Sequence, residues 1–248
     1  FHSDGRRKGI LVLGRDITDL KITEDALRKT EKLVVVGELA AGIAHEIRNP
    51  LTSMKGFLQL VKEDTICIDS CQDLLISEIE RINTIVTELL MLAKPRVESH
   101  VSVLIQEILG DTINFMSTEA NLQNVTLTLD ETQDFLVSCS ENQLKQVFIN
   151  IIKNAIDSIF TIGEVKISVF EYSESEFVVR FEDNGCGIEE ERLQKIGEPF
   201  FSVKEKGIGL GMTVSFKIIK DHGGKVELQS QLKKGTIVDV ILPKYKPE

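Results

Sequence analysis

One histidine of this sequence lies on a predicted helix face that is suited to chemistry. In the stretch AAGIAHEIRNPLTSMKGFLQL, apolar residues from Ile43 to Val61 recur every three or four positions, the period of a helix with one apolar stripe. His45 is two positions from both Ile43 and Ile47, so it points roughly 200° away from that stripe at ~100° per residue. A core histidine would lie within the stripe, so we expect His45 to be exposed. Its polar neighbours on that side are Glu46, Arg48, Asn49 and Thr52.

The same residues begin like a zinc-protease motif but do not complete it. In H-E-x-x-H, two histidines at i and i+4 share one zinc ion. Here the second ligand position is Asn49, an amide that binds zinc poorly. The remaining histidines, His2, His100 and His222, are scattered along the chain. The spacing therefore excludes a metalloprotease.

A second set of candidate residues lies in the C-terminal half of the chain. Asn150 and Asn154 in QLKQVFINIIKNAIDSI are four apart, so they share a helix side other than the apolar one. Asparagine is a poor helix former, and a solvated face would more usefully carry Glu or Lys. Asp183 follows a predicted strand and precedes the glycines of DNGCG, so its carboxylate can accept a hydrogen bond from a ligand, although a tight turn has the same composition.

A glycine-rich segment, GIGLGM at residues 207–212, opens a predicted helix. Glycines at that place let backbone N–H groups converge on a phosphate. The segment is not a P-loop, because no Gly-Lys-Ser/Thr follows, and not a dinucleotide fingerprint, because no strand precedes it. Each feature alone is weak, but the asparagine pair, the aspartate turn and this segment in that order strongly indicate a ligand site.

Two amphipathic helices must position His45. A long helical pattern with a weak heptad seam starts at Ile17 and runs into the His45 helix, and residues 67–73 read as a polar turn. The following segment, LLISEIERINTIVTELLMLAKP, has the a/d seam of a helical bundle. Its seam consists of Leu75, Ile79, Ile82, Val86, Leu89 and Ala93. Such a hairpin leaves an apolar side that a second copy would bury as a four-helix bundle, so we expect a homodimer; packing within one chain is the alternative.

The pattern after residue 101 is mixed and predicts an α+β sandwich, one sheet with helices over one face. The helices are expected over residues 103–120, 141–158 and 213–221, and the strands over residues 125–129, 135–139, 165–172, 176–182, 225–229 and 236–242. Residues 9–15 look like the last strand of an upstream domain, with a disordered tail as the alternative. The apolar positions of the second helix, which we expect to face the sheet, are Leu144, Val147, Ile151, Ile152, Ala155 and Ile159.

The composition limits the possible functions. The 248 residues carry a formal net charge of −10 and a pI near 5.1, which argues against nucleic-acid binding. No apolar run is long enough to cross a bilayer and no signal peptide opens the sequence, which says nothing about a longer parent protein. The four cysteines form no CxxC pair and are expected to be reduced, so the expected compartment is the cytosol.

The motifs together resemble the catalytic core of a two-component sensor histidine kinase. HEIRNPL resembles the H box of that family, QVFINIIKNAIDS the N box, DNGCGI the first glycine box, EPFFSVK the F box, GIGLGM the second glycine box, and KGT at residues 234–236 the last segment typical of the fold. The leading GRDITDLK resembles the end of a PAS sensor domain. Taken together, the motifs are similar to those of sporulation-type kinases. Ile208 and Met212 depart from the usual Thr and Leu.

The resemblance implies three parts: the end of a PAS-like domain (residues 1–16), a coiled-coil linker with the dimerisation and phosphotransfer hairpin (17–97), and an ATP-binding domain (98–248) of the histidine-kinase and gyrase-type fold. It also implies that Asn150 binds Mg²⁺ and that Asp183 accepts a hydrogen bond from the adenine amino group. The other nucleotide-binding residues that it implies are Lys153, Asn154, Gly185, Gly187, Lys204, Gly207, Gly209, Leu210, Gly211 and Thr236.

The implied reaction is autophosphorylation of His45 by ATP, with Glu46 accepting or polarising the proton on the other ring nitrogen. The phosphoryl group would then pass to an aspartate of a response regulator receiver domain. Asn49 matches the position at which the family uses an amide or hydroxyl to orient water, which implies phosphatase activity. Lys204 is explained equally well as a solvated lysine.

Two rival interpretations exist for the same motifs. Gyrase-like ATPases and serine-phosphorylating anti-sigma factors share the ATP-binding fold, but the anti-sigma factors need no histidine-bearing hairpin. A degenerate dimeric scaffold would have lost ATP chemistry, and it predicts damage at His45, Asn150 or Asp183. All three residues are intact, so the sequence favours the kinase.

Overall fold

The computed structural model describes residues 2–3, 6–7, 44, 46–63, 65–93, 100–130, 133–199, 201 and 209–245. The chain divides into two compact units, Phe1–Gly42 and Ile43–Glu248. In the first unit, strands β1 (His2–Ser3) and β2 (Arg6–Arg7) pair antiparallel. The strand predicted over residues 9–15 and the linker helix predicted from Ile17 lie outside the described residues, as does His45.

The second unit begins with the predicted helical hairpin. Helix α1 covers residues 46–62, a short 3-10 helix spans Ile68–Ser70, and helix α2 spans Gln72–Ala93. The connection between the two helices therefore both begins and ends earlier than the predicted turn over residues 67–73. Ile79 and Val86 of the predicted seam are exposed, whereas Ile85, outside that seam, is fully buried. Exposed apolar side chains on one hairpin are expected where a helical bundle lacks its remaining helices.

The C-terminal part of the second unit contains a mixed five-stranded sheet. Across the sheet its strands are, in order, β4 (Val125–Asp130), β6 (Gly163–Glu171), β7 (Glu176–Asp183), β9 (Gly235–Pro243) and β8 (Lys225–Gln231). Strands β4 and β6 are parallel, and the other neighbours are antiparallel. The helices are α3 (Ile105–Leu122), α4 (Glu141–Asp157), the short α5 (Glu190–Leu193) and α6 (Gly211–Asp221).

The prediction of one sheet was wrong in one respect. Strand β5 (Leu136–Cys139) pairs not with the main sheet but with β3 (Val101–Leu104), which lies where the sequence predicted the start of a helix. The register places Val101 opposite Cys139. Helix α3 therefore starts at Ile105, two residues later than expected. Strand pairing across more than thirty residues depends on the tertiary fold, so local periodicity did not reveal it.

The hydrophobic core lies between one face of the main sheet and the helices. Phe177 and Phe181 of β7 and Phe148 of α4 are almost completely buried, and burying such a side chain contributes about 1.5–3 kcal/mol. All six α4-side positions predicted to face the sheet are buried: Leu144, Val147, Ile151, Ile152, Ala155 and Ile159. The register places Val165 of β6 opposite Asp183, and Asp183 opposite Thr236 of β9. Three neighbouring strands therefore have their ends close together at one end of the sheet.

Candidate active site

Asp183 is a buried carboxylate at the C-terminal end of β7. Its Oδ1 atom accepts hydrogen bonds from the Ser158 hydroxyl at 3.0 Å and from the Gly185 N–H at 2.9 Å. Only 7% of the residue is exposed. Burial raises the pKa of Asp183, and the hydrogen bonds from Gly185, Ser158 and the Thr236 backbone oppose that rise.

The backbone around Asp183 is packed so closely that side chains would not fit. Gly185 lies against Ser158, and Gly187 lies beside the Gln231 backbone. Gly235 has a φ of +117°, and a Cβ atom there would be 1.8 Å from the Asp183 carbonyl oxygen. Thr236 is buried, with its hydroxyl 2.9 Å from that of Ser230. The glycines thus bring the turn between β8 and β9 up to the end of β7.

Asn150 lies on α4 where that helix faces the start of α6. Its Nδ2 atom donates to Ser215 Oγ at 2.9 Å and lies 3.6 Å from Met212 Sδ. A Cβ atom on Gly211 would be 2.4 Å from Asn150 Oδ1, so the missing side chain lets α6 begin against the amide. Leu210, which directly precedes α6, is fully buried.

Three of the other predicted nucleotide-binding residues lie on α4 or just before α6. Lys153 is exposed and Asn154 half-buried on α4, and Gly209 directly precedes Leu210 with a φ of +74°. Lys204 and Gly207 lie outside the described residues, as does Phe200. Among the residues that the structure describes, no cluster of three His, Cys, Asp or Glu side chains could hold a metal ion, and no helix is long and apolar enough to cross a membrane.

The hairpin places Glu46 differently from the sequence prediction. Its carboxylate is half-buried rather than freely solvated, because Arg81 of α2 donates from Nη2 to Glu46 Oε2 at 3.2 Å. Arg81 is thirty-five positions away in the sequence, and helix periodicity does not show which polar faces of two helices meet. Asn49 is exposed, as expected.

Two residues of this region were missed by the sequence analysis. Ser158 holds the Asp183 carboxylate and Ser215 holds the Asn150 amide. The signal for Ser215 was a hydroxyl among the apolar residues of VSFKII, since a buried serine needs a hydrogen-bond partner. No comparable signal marked Ser158, which directly follows the last residue of α4.

The four cysteines are free thiols in the structure. Cys67 and Cys186 are exposed, and Cys71 and Cys139 are buried. Burial, with a smaller contribution from the neighbouring Glu141 carboxylate, raises the pKa of Cys139 to about 11.

Comparison with known families and proteins gives consistent results. Residues 35–98 match the His Kinase A (phospho-acceptor) domain, and residues 139–246 match the Histidine kinase-, DNA gyrase B-, and HSP90-like ATPase family. Sporulation kinase E of Bacillus subtilis (strain 168) is 43% identical over 235 residues, which cover 94% of this chain and 32% of that protein. Sporulation kinase A of the same organism is 44% identical, and the match covers 95% of this chain and 39% of that protein.

A solved structure of histidine kinase ThkA in complex with response regulator protein TrrA superposes with a TM-score of 0.78 at 29% identity. The match covers 93% of this chain and 68% of that one. The chain spans less than half the length of sporulation kinases E and A. The phospho-acceptor and ATPase domains, in this order, and the similarity to sporulation kinases show that the chain belongs to the sensor histidine kinase family, of which it comprises a catalytic core.

Proposed function

We propose that this chain catalyses ATP-dependent phosphorylation of His45 and passes the phosphoryl group to an aspartate of a response regulator. The observation that carries the proposal is the combination of two parts in one chain. One part is a hairpin with a histidine and a carboxylate next to each other in sequence. The other is an ATPase-type domain with a buried aspartate at the end of a central strand.

Asp183 is the proposed recognition group for the adenine amino group. Its Oδ1 atom already accepts two hydrogen bonds, from Ser158 and Gly185, which fix the plane of the carboxylate. The other oxygen can accept from an exocyclic amine. Because the group is almost completely buried, water competes poorly for that oxygen, and a hydrogen bond to it is stronger than one in solvent.

Asn150 and the start of α6 form the proposed phosphate end of the site. The backbone N–H groups in the first turn of a helix have no partner within that helix, and they favour an anion. Asn150 Oδ1 accepts no hydrogen bond from any residue that the structure describes. An amide oxygen suits Mg²⁺, and an ion held by few protein ligands keeps waters and substrate phosphates in its shell.

The residues therefore fit Mg²⁺, which Asn150 would hold. Bound there, Mg²⁺ would neutralise charge on the phosphates during transfer.

At the acceptor end, a ring nitrogen of His45 is proposed to attack the γ-phosphorus. Imidazole is largely neutral near pH 7, so it is a competent nucleophile. The new N–P bond forms as the bond to the ADP oxygen breaks. Glu46 takes the proton from the other ring nitrogen, and Arg81 holds the Glu46 carboxylate from α2.

Partners of the chain follow from the same proposal. The exposed apolar residues of the hairpin include Leu51, Leu58, Ile79 and Val86, and a second copy covering them would form a four-helix bundle. The aspartate acceptor lies on a receiver domain, as the complex of the similar kinase ThkA with a response regulator supports. Exposed Asn49 would orient water for dephosphorylation of that regulator. An Asn49→Ala variant that dephosphorylates the regulator normally would refute this role.

The test is phosphoryl transfer from γ-labelled ATP with Mg²⁺, comparing the parent with His45→Gln and Asn150→Ala. Phosphohistidine is labile in acid and stable in base, so the label identifies its own acceptor chemistry. We expect such a label in the parent and none in either variant. A label that persists in His45→Gln moves the acceptor elsewhere, and ATP binding without any label favours a scaffold.

A further inference from the structure

Ser215 is a polar residue in an otherwise apolar part of α6. Only 2% of it is exposed, and its buried neighbours on the helix are Val214, Ile218 and Ile219. A buried hydroxyl without a hydrogen bond destabilises the fold, so such a residue needs a partner. Its partner is the Nδ2 atom of Asn150, 2.9 Å from the serine oxygen and sixty-five positions away in the sequence.

The surroundings of the Asn150 amide determine which way it is turned. The Nδ2 atom lies between Ser215 Oγ, which accepts its hydrogen bond but could also donate one, and Met212 Sδ. A thioether sulfur can only accept a hydrogen bond. Turning the amide over would place Oδ1 against this sulfur, and two acceptors would then face each other. The sulfur therefore selects the orientation and the Ser215 hydroxyl anchors it, with the nitrogen towards the α6 side chains and the oxygen on the other side, against Gly211.

We propose that Ser215 is a positioning residue for divalent-cation binding: it keeps the Asn150 amide turned so that Oδ1, and not the NH₂ group, is presented to the metal. This inference rests on the proposed function, in which Asn150 holds Mg²⁺. A metal ion needs an oxygen from this side chain, because an amide NH₂ is a donor and has no lone pair to share. Without Ser215, part of the population turns the amide over and loses the ligand.

The test measures metal binding rather than catalysis. Mn²⁺ replaces Mg²⁺ as a spectroscopic probe, and its affinity is measured by electron paramagnetic resonance in the complex with a non-hydrolysable ATP analogue. Ser215→Ala removes one neutral hydrogen bond, so we expect about three- to tenfold weaker Mn²⁺ binding. Binding of the analogue in the presence of EDTA should be unchanged. The matched control is Ser117→Ala, a half-buried helix serine on α3 whose hydroxyl donates to Ile113 O.

An Asn150→Asp background separates positioning from a merely structural role. A carboxylate has two equivalent oxygens, so turning it over changes nothing at the metal. We therefore expect the Ser215→Ala loss in the Asn150 background and less than about a twofold change in the Asn150→Asp background. Met212→Leu, which replaces the thioether by an apolar side chain, should give a loss in the same direction.

Equal losses in both backgrounds would show that Ser215 acts only through the packing of α6, and unchanged Mn²⁺ affinity in Ser215→Ala would remove the effect itself. Either result overturns the inference. Asn150→Ala tests the proposed function separately. If its Mn²⁺ affinity equals that of the parent, Asn150 is not a metal ligand, and both that part of the proposed function and the role of Ser215 are wrong. If it is weakened while Ser215→Ala is not, only the role of Ser215 is wrong.

Discussion

Replacing Asp183 by Asn is the sharpest single test of the proposed adenine site, because it changes one atom of a buried group. In the parent, Oδ1 accepts from Ser158 and Gly185, and the amide oxygen of the variant can keep both bonds. The other carboxylate oxygen then becomes an NH₂ group. An adenine amino group at that place would face a donor where it had an acceptor.

The expected loss can be estimated from the hydrogen bond that disappears. A hydrogen bond to a charged group contributes about 1.5–3 kcal/mol, and 1.4 kcal/mol corresponds to a tenfold change in affinity. ATP should therefore bind about 10- to 150-fold more weakly to Asp183→Asn. GTP should lose less, since guanine carries a carbonyl oxygen that the new NH₂ group can donate to.

The stability of the same variant should not fall with its affinity. Burial raises the pKa of Asp183, so folding favours the protonated form. The stabilising contribution of that form is present below the pKa of the unfolded state and is lost as pH rises through the pKa of the folded state. At neutral pH the buried carboxylate thus destabilises the fold, and the neutral amide removes that cost.

Isothermal titration calorimetry with ATP and GTP, together with thermal unfolding of the free protein, measures both effects. We expect a Tm at pH 7 equal to or above that of the parent, with a difference that shrinks in acid. Ser117→Ala serves as the control for a half-buried polar change away from the site. Unchanged ATP affinity with a lower Tm would refute the reasoning, because Asp183 would then be a structural carboxylate.

Three further predictions concern other parts of the chain. Gly235→Ala combines a φ of +117° with a Cβ only 1.8 Å from a backbone oxygen. It should lower the free energy of unfolding by about 1–3 kcal/mol or more in urea titrations. Gly223→Ala, with a φ of +73° and its nearest atom at 3.8 Å, should lose clearly less, and equal losses would exclude the clash. Native Cys139, with its pKa raised to about 11, should resist alkylation at pH 8 while exposed Cys67 reacts, as mass spectrometry can show. Because the Cys139 thiol ionises at lower pH in the unfolded chain than in the folded protein, the free energy of unfolding should also fall as pH rises from about 9 to about 11. Glu46→Gln should slow autophosphorylation by about 10²–10⁴-fold without weakening ATP binding, and an unchanged rate would exclude Glu46 as the proton acceptor.

Much of the architecture could be predicted because it depends on local periodicity. Apolar steps of three and four residues predicted the hairpin and the buried side of α4, whose six predicted positions are all buried. Alternation predicted β6 and β7 to within one or two residues at each end. The motif residues Asn150 and Asp183 could also be selected from their types and neighbours alone.

The tertiary structure decided which of these elements and side chains meet. Pairing of β3 with β5, the contact of Arg81 with Glu46, and the contacts of Ser158 and Ser215 all join residues that are distant in sequence. Periodicity identifies the face of an element that turns inward, because that depends on each segment alone. It does not identify the partner, because a partner is selected by packing of the whole chain, and the orientation of the Asn150 amide is a property of α4 and α6 together.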